Sequence, residues 1–152
     1  MPAVLDASVT LPWFLQDERT AFTDSVFAAL ELAAQEECWV PALWRLEFPN
    51  ALLAAERKRR LTRAERLQVL DEAARLNVRV DLHAHELRAI SALAERHRLT
   101  TYDAVYLELA ARLDSALITL DRNLAAAASA AGITVHAPGR TSASQLRGRY
   151  NI

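Results

Sequence analysis

Four acidic residues stand where a carboxylate could meet a ligand. Asp6 closes the run PAVLD, Asp121 closes ALITLD, Glu47 lies in PALWRLEFPN and Asp103 in LTTYDAVY. The first two follow β-like runs directly, and the other two fall in the opening turns of helical patterns. Singly, each has an ordinary explanation, because Asp and Glu favour helix N-termini through capping and the helix dipole. Together they would repel and raise one another's pKa unless something positive sat among them. A hard divalent cation, Mg²⁺ or Mn²⁺, is the economical solution for oxygen donors with no thiolate and little imidazole. Such an ion lowers the pKa of water and neutralises charge on a phosphoryl group, which is the chemistry of phosphodiester hydrolysis.

Three uncharged polar residues accompany these acids. Ser8 lies two residues after Asp6, Thr119 two before Asp121, and Asn50 three after Glu47 on the same helical face. They are expected to support the acids, and Asn50 in particular is expected to face inward and need a polar partner. The remaining acids, Glu108 among them, fall within or between helical patterns, where solvated faces and pairs such as Glu56 with Arg60 account for them.

The stretch ERKRRLTRAER gathers Arg57, Lys58, Arg59, Arg60, Arg63 and Arg66. It reads equally as a surface that holds a polyanion and as a solvated helix end complementing its dipole. Arg45 and Arg122 flank acidic positions, where either phosphate or the acids themselves would be their partners. The pair His83 and His85 reads as an exposed helix entry, because no other histidine or thiolate is expected within reach. Trp13, Phe14, Trp39, Trp44, Tyr102 and Tyr106 occupy apolar-periodic positions and read as core or dimer surface.

Short β-like runs near residues 4, 39, 80, 118 and 134 alternate with helical patterns over 20–36, 44–60, 62–75, 84–97, 102–113 and 122–131. That alternation predicts a three-layer α/β/α sandwich around a mainly parallel sheet of about five short strands, since right-handed crossovers place helices on both faces. Helices 44–60 and 62–75 follow one another without a strand and should form a hairpin. Ligands of open α/β sheets gather at the carboxyl ends of the strands, where the four acids would meet.

At 152 residues, 52% of them hydrophobic, the chain suits one domain over 1–140 followed by a tail over 141–152. A net charge of -1 excludes a general polycation, so any polyanion-binding surface must be local. One cysteine, Cys38, excludes an internal disulfide framework and reads as a small buried hydrophobe in a reducing compartment. With no basic leader and no long apolar run, a soluble cytoplasmic protein with no membrane association is expected.

From VLDASV through VPALWRLEFPNAL and TTYDAVYLELA to LITLDRNL, the chain resembles the PIN-domain ribonucleases, and among them the VapC-type toxins of bacterial toxin–antitoxin pairs. The match is in the family's order and spacing over nearly the whole chain. The resemblance implies a metal-dependent endoribonuclease with Asp6, Glu47, Asp103 and Asp121 as its acidic quartet, supported by Ser8, Asn50 and Thr119. It further implies a homodimer, cleavage leaving 5′-phosphate ends, and inhibition by a small antitoxin whose C-terminal segment enters the acidic cleft. Pro49 departs from the family's pattern and should make the helix begin later or bend, which puts the aim of Glu47 in question. Two alternatives stay open: a non-catalytic binding module of the same fold, and a phosphatase with Asp6 as nucleophile. The second normally needs another Asp two residues on, where this chain has Ser8.

Overall fold

The computed structural model describes residues 2–32 and 38–139. The expected tail 141–152, and the end of the helix expected over 20–36, lie outside them. In chain order the elements are β1 Ala3–Leu5, α1 Ala7–Thr10, two 3-10 turns at Leu11–Trp13 and Gln16–Glu18, α2 Ala21–Leu32, β2 Cys38–Pro41, α3 Trp44–Arg57 and α4 Arg63–Ala73. They continue as β3 Arg79–Asp81, α5 Leu87–His97, α6 Thr101–Arg112, β4 Ala116–Ile118, α7 Arg122–Ala130 and β5 Val135–His136.

All strand pairs are parallel, and the order is β3-β2-β1-β4-β5. Alternation along the strands divides the core in two. Ala3 and Leu5 of β1 join Val26, Leu30, Phe48 and Leu52 on the side of α1 to α4, whereas Val4 joins Tyr106, Leu107, Leu109 and Leu124 on the side of α6 and α7. Helices therefore cover both faces, which gives the expected three layers. No described helix is long and apolar enough to cross a membrane.

The chain leaves β1 towards β2 and β3 on one side, then returns through α6 to place β4 on the other. The carboxyl ends of β1 and β4 thus flank the point where the winding reverses, the crevice in which such sheets bind ligands. Leu5 is in register with Ile118, and the Asp6 amide donates to the Ile118 carbonyl at 3.0 Å.

Several expectations are corrected. Residues 7–18, for which the pattern predicts no helix, form α1 and the two 3-10 turns. Elements this short carry too weak a periodic signal and depend on packing, here of Val9 and Leu15 in the core. Pro49 does not delay the helix: α3 runs from Trp44 with Pro49 inside it, and Glu47 still donates its amide to the Leu43 carbonyl at 3.0 Å. The proline lacks only its own N–H, and the turn before it is intact. Glu56 pairs with Arg66, not with Arg60. The helix ends at Arg57, and Arg59 takes a left-handed φ of 57°, which turns Arg60 away from the i,i+4 position. Of the aromatic positions that read as core or dimer surface, Tyr102 lies outside the core, 63% exposed at the start of α6.

Candidate active site

Strand ends and helix starts supply the four carboxylates. Asp6 leaves β1 in extended conformation and is the N-cap position of α1. Asp121 is the N-cap of α7, its Oδ1 accepting from the Leu124 amide at 2.9 Å. Asp103 lies in the first turn of α6, fixed by its amide donating to the N-cap Thr100 Oγ1 at 3.1 Å. Glu47 lies in the first turn of α3.

Asp6 is buried, and its Oδ2 accepts from Ser8 Oγ at 2.6 Å and Thr119 Oγ1 at 2.8 Å. Those hydroxyls are themselves anchored, because Ser8 Oγ accepts from the Leu120 amide and Thr119 Oγ1 from the Asp121 amide, both at 3.0 Å. Ser8 and Thr119 therefore link the loop after β4 to the end of β1 and set Asp6 beside Asp121. Asn50 does not follow: it is exposed, because its turn of α3 lies at the surface while Phe48 and Leu52 take the inward face.

Tyr106 is buried, as its apolar-periodic position predicts, yet its hydroxyl donates to Glu47 Oε1 at 2.8 Å. It lies one turn after Asp103 on the same face of α6, a spacing visible in the sequence although its partner on α3 is not. Burial raises the phenol's pKa, with Asp6 and Glu47 adding to it, so Tyr106 stays protonated and acts as a donor. Trp44 ties α3 to α1 by donating Nε1 to Thr10 Oγ1 at 2.9 Å.

The electrostatics identify these acids as one group. Burial pushes Asp6 above the usual carboxylate range, the Ser8 and Thr119 hydroxyls hold it back, and Asp103 and Asp121 raise it further. Glu47 is raised by burial, lowered by Tyr106, and raised by Asp6 and Asp103. Asp103 is raised by burial, lowered by Thr100 and raised by Asp121. Among the described residues no Lys or Arg pairs with any of the four.

This donor set fits a hard cation. Asp6, Glu47 and Asp121 each commit one oxygen to a structural hydrogen bond and keep the other for a ligand. The arrangement is open; among the described residues the one set of three ligating side chains with donor atoms all within 4.8 Å of one another is His83, His85 and Glu108. Mg²⁺ retains several waters and takes few direct carboxylates, so widely set acidic walls suit it.

Arg45 and Arg122 are both exposed and make no ion pair with these acids. Arg57, Lys58 and Arg59 are exposed at the tip of the α3–α4 hairpin. Arg60 belongs elsewhere: it binds Asp17 and Glu18 at 2.8 and 2.7 Å, because the turn at Arg59 directs it onto the 3-10 segment. As for a nucleophilic Asp6, Ser8 stands where that chemistry needs an acid, and its hydroxyl is engaged by Asp6 itself.

Known proteins share this architecture. The family profile described as PIN domain matches residues 3–130. Ribonuclease VapC3 of Pyrobaculum aerophilum is 32% identical over 127 residues, covering 82% of this chain and 93% of that protein. Among solved structures, PAE2754 from Pyrobaculum aerophilum aligns with a TM-score of 0.65 at 23% identity, over 99% of this chain and 90% of the other. FitAcB from Neisseria gonorrhoeae aligns with a TM-score of 0.55 at 18% identity, over 91% of this chain and 99% of the other. At those identities the two structures speak for the fold.

Proposed function

The chain belongs to the PIN-domain family, and from that premise we propose that it is a metal-dependent endoribonuclease of VapC type, the toxin of a toxin–antitoxin pair acting in the cytoplasm. The observation that carries the reading is the convergence of Asp6, Glu47, Asp103 and Asp121 at the reversal point of the sheet, where the first three are raised in pKa by burial and by neighbouring acids and, among the described residues, no cationic side chain pairs with any of the four. The name of the VapC3 relative supports RNA as the substrate.

In this reading Asp6, Asp103 and Asp121, with Glu47, would hold Mg²⁺ or Mn²⁺. When bound, the cation supplies an activated water and neutralises charge developing at the scissile phosphate. The chain's own residues do the positioning. Ser8 and Thr119 hold one Asp6 oxygen so that the other faces the crevice, the α7 amide holds Asp121, and Tyr106 aims Glu47. Arg45 and Arg122, beside acids in the sequence, would take phosphates flanking the one that reacts. Water attacks phosphorus in line, the 3′ oxygen leaves, and the products carry 5′-phosphate ends, as in the family the chain resembles.

The same resemblance supports a homodimer and a small cognate antitoxin whose C-terminal segment enters the acidic crevice. The test uses purified full-length chain and a panel of single-stranded RNAs. Cleavage should appear with Mg²⁺ or Mn²⁺, vanish with chelator, return on metal addition, and be blocked by the product of a neighbouring short reading frame. No turnover on any RNA with either metal would favour the non-catalytic binding module.

A further inference from the structure

In the sequence His83 and His85 mark an exposed helix entry and Glu108 a solvated helix face. Folding brings them together. The segment after β3 lies against α6, and one ligating atom from each of the three side chains falls within 4.8 Å of the others. His85 Nδ1 is 3.8 Å from Glu108 Oε2, and the two imidazole rings meet edge to face with centroids 5.1 Å apart. Glu108 is five residues after Asp103, about 140° around the helix, so this cluster and the acidic group occupy different faces of α6.

A second observation makes the cluster more than a chance meeting. Arg112, one turn beyond Glu108, donates Nε to Glu108 Oε1 at 2.7 Å and a terminal nitrogen to Asp81 Oδ2 at 2.6 Å. Its approach to Glu108 Oε2 is long, at 3.3 Å. The carboxylate is thus oriented by a charged neighbour, with one oxygen held firmly and the other turned to the imidazoles. Metal-binding carboxylates are commonly fixed in this way by outer hydrogen bonds. Exposed His83 is free to close the remaining distance by side-chain rotation.

We propose that His83, His85 and Glu108 form a site for a zinc-class divalent ion, separate from the acidic group. Two imidazoles and one carboxylate suit Zn²⁺, or Co²⁺ as its probe, and discriminate against Mg²⁺, which prefers oxygen alone. The ion clips residues 82–86, the link from β3 to α5, onto α6. Three protein ligands leave a fourth position open. His83 and His85 line a groove of about 380 Å³ together with Leu43, Leu46, Ile90, Tyr102 and Val105, so an ion held by them would be accessible to water or to one outside donor.

The test strips the full-length chain with chelator and titrates it with Zn²⁺ or Co²⁺ in excess Mg²⁺, which keeps the acidic group occupied. One Zn²⁺ per chain is expected, and the Co²⁺ form should show visible absorption of low-coordinate cobalt with nitrogen ligands. His83→Ala and His85→Ala should each weaken Zn²⁺ binding by about 100-fold or more, beyond the range of about 10 to 100 typical for outer-shell changes. Zn²⁺ should raise the melting temperature of the parent and not of His83→Ala, whose melting in chelator should match the parent's because the residue is exposed. Asp121→Asn should retain the site, so loss of the nuclease reading would leave this one standing. Zn²⁺ binding unchanged in both histidine variants, absent from the parent, or abolished by Asp121→Asn would overturn the proposal.

Discussion

In the proposed reading Asp6 divides its carboxylate between two tasks. One oxygen takes hydroxyl hydrogens from Ser8 and Thr119, and the other is left for a ligand. Asp121 does the same, capping α7 with Oδ1. A carboxylate with two oxygens can cap a helix and still offer an oxygen to a ligand, so a cap signature in a sequence does not argue against a site. Asp103 offers the simplest measure of the cost of this crowding. Its pKa is raised in the folded chain, by burial first and by Asp121 after it, so the metal-free protein loses stability as pH rises from the ordinary Asp value through the folded one. Asp103→Asn should melt higher than the parent at neutral pH without metal, by up to about 1 kcal/mol, the scale of one partly screened charge pair. The difference should fade on acidification, and Mg²⁺ should stabilise the parent more than the variant. Thermal melts across pH, with and without Mg²⁺, give the comparison; a variant that is less stable in neutral chelator would speak against a cost of burying and crowding this charge. What the sequence does not reveal at this scale are meetings across elements. Tyr106 and Glu108 both sit on α6, and each acquires its role from a partner on another element.

The helices aim these side chains through their ends. The start of α4, within the helix expected over 62–75, is a reciprocal cap in which Thr62 accepts from the Glu65 amide at 3.2 Å and Glu65 accepts from the Thr62 amide at 2.6 Å. Thr62→Ala should cost about 0.5 to 2 kcal/mol, read by chemical denaturation, with no change in cleavage rate, because α4 carries no acid of the group. The end of α3 is less legible. Nothing in ERKRRL announces the left-handed Arg59 that diverts Arg60 to Asp17 and Glu18, since a left-handed arginine is uncommon and here depends on the chain reversing. Pro49 misleads in the other direction. In an isolated peptide it would weaken the helix, but Trp44, Phe48 and Leu52 bury their side chains on the core side of α3 and hold it together.

For the whole molecule, alternation of strand and helix patterns is enough to give three layers and a parallel sheet, because crossover geometry leaves little other choice. The strand order β3-β2-β1-β4-β5 is not legible, yet it is what sets Asp6 next to Asp121 across the reversal point. The net charge of -1 conceals an acidic crevice and a separate cationic hairpin tip. If Arg57, Lys58 and Arg59 hold RNA, replacing all three with Ala should weaken binding and flatten its salt dependence by about 0.7 in logarithmic slope for each phosphate that is no longer neutralised. Unchanged affinity and slope would make them a solvated helix end. The central claim, that the four acids form one catalytic group, rests most directly on Asp121. Purified Asp121→Asn, folded as judged by its melting curve, should cut RNA more than about 100-fold more slowly than the parent in Mg²⁺ or Mn²⁺, since even outer-shell changes cost about 10 to 100. Cleavage at the parent's rate would contradict the account.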